Sequence, residues 1–382
     1  MKGILKKNNI SSWDIEKVVT LSVATSWVMP NYIPELEQIK HPLESVLAVT
    51  DMSWSIVHSG DIHKKVSAQS VMKVLLYAFV LQKWIPWHEI SNNEAVWLPF
   101  NKDPILSWAS TVAGHPLNNA WGIASSWFIE DRDEFLSFVR ICCNNPEIDI
   151  MYSVYESEKA HRENNLKLSA SLAASGRYPT NKIESALDIY TRASSLQVDV
   201  SDILALGDVL MRWWVDKQWK RHLSYDTSVY VLNAMNTFWL YDESSRMNLM
   251  IAGTKALAAK SGVSGLILRV NPLSNAYVTL GHHLDSSWNS VFGIQCARTL
   301  NILLNEKNAM RLSASDQKKF YEHYLEETIR FTKDKAIERI HKKTFCRDSF
   351  ILSELQVKQM IQEIEKEKDD VVQYIDTCFI KT

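Results

Sequence analysis

One short segment of this sequence pairs a nucleophile with a base. Ser70-Val-Met-Lys73 separates a serine and a lysine by three positions, so on a helix both side chains lie on one face. A serine hydroxyl attacks poorly until a neighbour takes its proton, and a lysine can take it when an apolar setting lowers its pKa. Backbone N–H groups at a helix start can stabilise an oxyanion. The spacing is common, however, and a helix start with a lysine reaching to solvent also explains it.

A second segment strengthens the interpretation of a serine acyl-transfer site. Lys260-Ser261-Gly262-Val263 lies late in the chain, next to a run that reads as a strand. Penicillin-recognising serine enzymes combine an early Ser-x-x-Lys with a late Lys-Ser/Thr-Gly strand that borders the site. The order of the two motifs in this chain, with helical sequence between them, is that of this fold.

A longer series of blocks extends over about residues 31–300. In chain order they are Asn31–Leu36, Gly60-Asp61 with Gln69–Lys73, Glu94 with Leu98–Asn101, Pro116–Ala120, Val154–Glu158 with Asn165, Leu187–Tyr190 with Ser194-Ser195, Tyr241-Asp242, Ala259–Val263, and Leu284-Asp285 with Asn289-Ser290. With these blocks in this order, the chain resembles the serine-dependent glutaminases. The resemblance implies a β-lactamase-like fold and hydrolysis of the side-chain amide of L-glutamine or a related γ-amide. The sequence lacks metal-ligand spacing such as Cys-x-x-Cys or His-Glu-x-x-His, so we expect no metal, and we expect no cofactor.

The resemblance also implies a role for individual residues. Ser70 would form a γ-glutamyl ester, Lys73 would accept its proton, and Tyr241 would relay a proton to the leaving ammonia. The backbone N–H groups of Ser70 and Val263 would form the oxyanion hole. An anionic carboxylate suits the ammonium of an amino acid, and amide donors suit its carboxylate. The residues expected to bind the substrate are Tyr32, Asn119, Glu158, Asn165, Tyr190 and Lys260.

The surroundings of these residues depart from the family pattern. The family's Glu-Pro-Ser-Gly is Glu94-Ala-Val-Trp97 here, and its Asn-Ala-Gly-Ala-Ile is Asn119-Ala-Trp121-Gly122-Ile. Bulky residues thus replace small ones that let the backbone approach a ligand. We expect Trp97 and Trp121 to shape the pocket, either by lining it or by packing behind its wall. Further departures are Asn164 for an arginine, Ser264–Ile267 for Gly-Gly-Gly-Ile, and His282-His283 for paired prolines.

Two other functions remain open at this point. The same acyl-enzyme could pass its acyl group to an amine, as in a biosynthetic transferase or an amidase with another substrate, and a dry channel lined by tryptophans would favour this. A non-catalytic relative that binds an amino acid is the other possibility. The presence of both Ser70 and Lys73 argues against pure binding, because a binder has little use for a paired nucleophile and base.

Composition limits the partners. The chain has 382 residues and a formal net charge of −2, which gives no electrostatic reason to expect a nucleic acid or an anionic membrane as partner. Its five cysteines are odd in number and lack framework spacing, which favours reduced thiols. No apolar stretch is long enough for a transmembrane helix. We therefore expect a cytoplasmic protein with a small amide substrate that resembles glutamine, and the resemblance suggests a homo-oligomer.

Short β-branched runs at both ends of the central region enclose helical sequence. Residues 44–50 and 54–58 predict a hairpin, residues 70–82 a buried helix, and residues 264–270 and 275–280 two more strands. We predict an α/β (α+β) fold with an antiparallel sheet built from residues 44–60 and 264–300, flanking helices and an inserted helical subdomain at about 75–250. The expected domains are a helical lead-in at 1–30, the catalytic domain at 31–304 and a charged helical extension at 305–382.

Overall fold

The structure is a computed structural model, and its description covers residues 12–23, 33–36, 44–85, 117–215, 220–238, 258–272, 274–281, 284, 288–297 and 300. The strands of its main sheet are β1 (Val46–Asp51), β2 (Ile56–Ser59), β5 (Ala258–Ser261), β6 (Leu266–Asn271) and β7 (Asn275–Leu280). They have the order β2-β1-β7-β6-β5, with every pair antiparallel. Strands from both ends of the region therefore pair in one sheet, as expected, through the β1–β7 ladder.

Helices surround this sheet. They are α1 (Ser12–Val23), α2 (Lys73–Gln82), α3 (Asn119–Ser126), α4 (Arg132–Cys142), α5 (Tyr152–Ala160), α6 (Glu163–Ala174), α7 (Ile183–Ser194), α8 (Val200–Met211) and α9 (Tyr225–Phe238). Short 3₁₀ turns occupy Pro34–Leu36, Gln69–Met72 and Thr180–Lys182, and residues 291–297 are helical. A small ladder pairs β3 (Val66–Ser67) with β4 (Gln197–Val198). The mixed architecture that the sequence predicts is confirmed.

Helix α8 packs closely on the sheet. Asp199 caps its first turn in a capping box with Asp202, which satisfies backbone N–H groups that the helix start leaves open. A Cβ at Gly207, in the middle of the helix, would lie 2.9 Å from Leu268 Cδ1 and 3.1 Å from Ala276 Cβ. Glycine therefore lets the helix axis approach β6 and β7, and this contact offsets the poor helix propensity of glycine.

The segment before α2 departs from the predicted helix. The sequence predicts a helix from residue 70, but α2 begins at Lys73 and a 3₁₀ turn occupies Gln69–Met72. Gln69 has a φ of 47°, in the left-handed region that side chains rarely adopt. The chain leaves β3 and turns sharply into the helix, so the serine lies on a tight turn. The lysine begins a helix that is buried on nearly all sides because its sequence is apolar all round.

One other boundary differs from the prediction. The second group of strands begins at Ala258 instead of 264, because Lys260 and Ser261 are themselves part of β5 and do not merely precede a strand. The extension predicted at 305–382 lies outside the described residues, and the domain boundaries stay predictions. Among the helices described, none is long and apolar enough to cross a membrane.

Candidate active site

Ser70 and Lys73 lie together where the 3₁₀ turn meets α2. Lys73 Nζ is 3.0 Å from Ser70 Oγ, which is hydrogen-bond distance. The lysine side chain is 1% exposed, whereas the serine is half-buried. The lysine is thus shielded from water, while the serine keeps part of its surface exposed.

Burial controls the charge of Lys73. Loss of hydration lowers the pKa of Lys73 well below its ordinary value, the positive charge of Lys260 lowers it further, and the carboxylate of Glu158 partly opposes both effects. These surroundings therefore shift Lys73 toward its neutral form relative to a lysine in water. A neutral amine has a lone pair that can accept the Ser70 proton while one of its own N–H groups donates elsewhere.

Asn119 holds the other side of this amine. Its Oδ1 accepts hydrogen bonds from Lys73 Nζ at 2.7 Å and from Tyr190 OH at 3.1 Å, and its Nδ2 donates to Asn165 Oδ1 at 3.2 Å. The preceding residue, Asn118, caps α3 by accepting from the backbone N–H of Trp121. Because Asn118 provides the cap, the side chain of Asn119 is available to the site.

Glu158 is connected to the turn that holds Ser70 by Gln69, a residue for which the sequence predicts no role. Gln69 Nε2 donates to Glu158 Oε1 at 3.1 Å and to Ser67 Oγ at 3.3 Å, and Ser67 Oγ donates to the carbonyl of Ser194 at 2.8 Å. Gln69 was only one letter of the block that contains the serine. Its left-handed backbone and its contact with a distant helix leave no mark in the sequence, so spacing could not reveal them.

The turn between β5 and β6 packs against the turn that holds Ser70. Lys260 is fully buried and its Nζ donates to the carbonyl of Ser261 at 2.6 Å. Burial lowers the pKa of Lys260 to about 7. A Cβ at Gly262 would lie 3.3 Å from the carbonyl oxygen of Ala68 and 3.4 Å from Val71 Cγ2, so this turn sits directly against the turn that carries the nucleophile. The next residue, Val263, packs in a small buried cluster with Ile33, Leu36, Val154 and Leu284.

Trp121 is part of the hydrophobic core. Its side chain is fully buried and its ring centroid lies 4.5 Å from that of Tyr77, in the core between α2 and α3. Asn119, two positions earlier on α3, faces Lys73. The described contacts of Trp121 are therefore those of a core residue, and its part in shaping the pocket stays a prediction.

Contacts thus gather most of the expected residues that the structure describes. Ser70, Lys73, Asn119, Asn165 and Tyr190 form one hydrogen-bonded chain, and Glu158 accepts a hydrogen bond from Gln69, the residue that precedes Ser70. Lys260 acts on this group by its charge, and Val263 lies in the adjoining turn. The expected site residues outside the described ranges are Tyr32, Trp97 and Tyr241, together with the His282-His283 pair.

Comparison with known proteins identifies relatives of this chain. The sequence model of the glutaminase family matches residues 28–308. A glutaminase of Clostridioides difficile (strain 630) is 28% identical over 282 residues, covering 71% of this chain and 89% of that protein. Glutaminase 2 of Bacillus subtilis (strain 168) is 27% identical over 278 residues, covering 69% of this chain and 87% of that protein.

Solved structures agree in fold. The probable glutaminase ybaS superposes with a TM-score of 0.69 at 23% identity, covering 78% of this chain and 98% of its own. A probable glutaminase of Bacillus subtilis superposes with a TM-score of 0.67 at 18% identity, covering 77% of this chain and 96% of its own. The antiparallel sheet with its flanking helices is the β-lactamase-like fold, as the sequence motifs predict. With the family match spanning most of its length, this chain belongs to the glutaminase family.

Proposed function

We propose that this protein hydrolyses the side-chain amide of L-glutamine to glutamate and ammonia through an ester on Ser70. The observation that carries the proposal is the 3.0 Å separation of Lys73 Nζ and Ser70 Oγ, in a setting that lowers the pKa of the lysine. Family membership supports glutamine as the substrate. An exposed serine beside a charged lysine would be a poor nucleophile, whereas a neutral amine at hydrogen-bond distance activates the hydroxyl.

The acylation step follows from these positions. Ser70 Oγ attacks the amide carbon as Lys73 takes the hydroxyl proton, and the carbonyl oxygen becomes an oxyanion that faces the backbone N–H groups of Ser70 and Val263. The C–N bond then breaks, and the nitrogen leaves as ammonia with the proton that Lys73 accepted. Tyr241 relays this proton in the role that the family resemblance gives it.

Deacylation reverses the roles of the groups. Water attacks the ester carbon while Lys73 accepts a water proton, and the returning proton restores the Ser70 hydroxyl as glutamate is released. Asn119 Oδ1 keeps the amine oriented through both steps, because its 2.7 Å hydrogen bond is independent of the proton that moves. Orientation of the base in this way contributes to the rate without any change in binding.

The amino-acid end of the substrate has complementary groups nearby. Glu158 is half-buried and held by Gln69, so its carboxylate can meet the substrate ammonium at a fixed position. Asn165 is also half-buried, and its amide can donate to the substrate carboxylate. Lys260 is fully enclosed, and we propose that it tunes Lys73 by its charge instead of touching the substrate.

Water is the proposed acceptor of the acyl group. The transferase alternative depends on tryptophans lining a dry acceptor channel, but Trp121 packs on Tyr77 in the core. In the described part of the chain, no other feature favours an amine acceptor.

Steady-state ammonia release from L-glutamine tests the proposal. Ser70→Ala and Lys73→Met should each lower kcat by at least about a thousandfold, since a paired nucleophile and base act as a unit. Ser175→Ala is the matched control, because the Ser175 hydroxyl donates a hydrogen bond to the carbonyl of Leu172 at the end of α6 and to no described residue of the site. Activity of Ser70→Ala equal to that of the control would overturn the mechanism.

A further inference from the structure

Helices α2 and α3 meet through two neighbouring pairs of residues. Lys73 and Tyr77 are four positions apart on α2 and so share one face of that helix. On α3, Trp121 packs its ring on Tyr77, with centroids 4.5 Å apart, while the next residue, Gly122, lies over Lys73. A large residue therefore fills the space over the tyrosine, and the smallest residue lies over the catalytic lysine.

Gly122 is surrounded by active-site side chains. A Cβ at this position would lie 2.6 Å from Tyr190 Cε2, 3.2 Å from Tyr190 Cδ2 and 3.3 Å from Lys73 Cε. Real Cβ atoms do not approach another carbon within 2.6 Å, so the ring of Tyr190 fills the space that a methyl group would need. The contacts belong to α2 and α7, so this one position on α3 touches the helices that carry Lys73 and Tyr190.

Backbone geometry does not require glycine here. Gly122 lies within α3, from Asn119 to Ser126, and its φ is not positive. Glycine inside a helix is less stable than alanine because it loses more conformational freedom on folding. The family pattern has alanine at this position and glycine where this chain has Trp121, so the advantage of glycine here must come from the absent side chain in the packing of this chain.

We propose that Gly122 is a positioning residue that admits the Tyr190 ring against Lys73. In this position the Tyr190 hydroxyl reaches Asn119 Oδ1 at 3.1 Å, and Lys73 Nζ lies 5.7 Å from the ring centroid. The ring covers the amine on one side while its hydroxyl steadies the asparagine that orients the same amine. This role rests on the proposed function, in which Lys73 is the base.

An added methyl group should separate these groups. Normal carbon–carbon contact is about 3.5–4.0 Å, so alanine at position 122 must displace the ring edge by about 1 Å or more. The hydrogen bond from Tyr190 to Asn119 then lengthens, and water reaches the amine. Hydration should raise the pKa of Lys73 toward its ordinary value, while the charges of Lys260 and Glu158 that face it stay unchanged.

Two glycine-to-alanine variants separate this role from simple packing. Gly122→Ala should lower kcat/KM for L-glutamine by about a hundredfold, as a misplacement of about 1 Å can do. Its melting temperature should fall too little to explain this loss of activity by unfolding. Gly207→Ala is the control, because it is a buried helical glycine whose Cβ would also be crowded, by Leu268 and Ala276 of the sheet. It should lower the melting temperature and leave kcat/KM within about threefold.

NMR titration of the Lys73 side chain, in protein labelled with ¹³C-lysine, provides a readout that does not depend on turnover. Its titration midpoint should rise in Gly122→Ala and stay unchanged in Gly207→Ala. If the wild type fails to hydrolyse glutamine, the proposed function fails, while this titration still decides the role of Gly122.

A second background covers the case in which Gly122→Ala folds poorly. Tyr190→Leu lacks the ring atom that the new methyl would strike, so adding Gly122→Ala to Tyr190→Leu should change kcat/KM and the Lys73 titration by less than about threefold. Equal effects of Gly122→Ala in both backgrounds would refute the proposal. An unmoved Lys73 titration in the single variant, with wild-type kcat/KM, would refute it as well.

Discussion

Replacement of Trp121 should damage the core and should not open the substrate pocket. The indole is fully buried and packs on Tyr77. Removal of a buried tryptophan side chain costs about 3–5 kcal/mol, and glycine at a helical position adds about 1 kcal/mol of lost helix propensity. Trp121→Gly should therefore lower the free energy of unfolding by about 4–6 kcal/mol, a large share of the stability of an ordinary domain.

Urea unfolding followed by intrinsic fluorescence and circular dichroism measures this loss. Trp121→Phe is the matched variant, since it keeps an aromatic ring on Tyr77 and should lose only about 1–3 kcal/mol. Ammonia release from L-glutamine is measured on both variants under conditions where each is folded. If Trp121→Gly hydrolyses glutamine faster than the wild type and keeps its stability, the ring intrudes on the pocket and the reasoning is wrong.

Three further predictions concern charge and capping. Burial lowers the pKa of Lys260 to about 7, so between about pH 7 and 10 the unfolded state binds one more proton than the folded state. The free energy of unfolding should therefore rise with pH in this range, by at most about 1.4 kcal/mol per pH unit. Urea titrations at several pH values should show a smaller slope for Lys260→Met. Glu158→Gln should raise KM for glutamine about tenfold or more. It should also move the acidic limb of the kcat/KM profile to lower pH, because the Glu158 carboxylate raises the pKa of Lys73. Glu156→Gln, on the exposed side of α5, should match the wild type in both measurements. Asp199→Ala should cost about 1–2 kcal/mol in thermal unfolding through loss of the α8 cap, with kcat unchanged, and an altered kcat would connect this cap to the site.

The parts of this structure that sequence predicts are those with a local cause. Short runs rich in β-branched residues predict β1, β2, β6 and β7 to within a few residues, because such residues pack well in strands. The all-apolar run after Lys73 predicts a buried helix for the same reason. The pairing of strands from opposite ends of the region follows from the arrangement of strands around helical sequence.

The contacts around the nucleophile could not be predicted in the same way. The left-handed backbone of Gln69 and its hydrogen bond to Glu158 join residues 89 positions apart, and neither residue type requires the other. The choice between a lining and a backing role for Trp121 depends on which face of α3 meets α2, which a single sequence leaves open. The resemblance supplied Tyr190 as a substrate-binding residue, whereas its hydrogen bond to Asn119 and its fit against Gly122 emerge only from the packing of α3 on α7.

Mass spectrometry of the intact protein, quenched rapidly during its reaction with L-glutamine, detects the ester on Ser70 itself. We expect an added γ-glutamyl group on the wild-type protein, assigned to Ser70 by peptide mapping, and no adduct on Ser70→Ala. The adduct should accumulate more slowly in Lys73→Met, because the hydroxyl then lacks its base. Turnover of glutamine without any adduct on Ser70, or an adduct on another residue, would contradict the account.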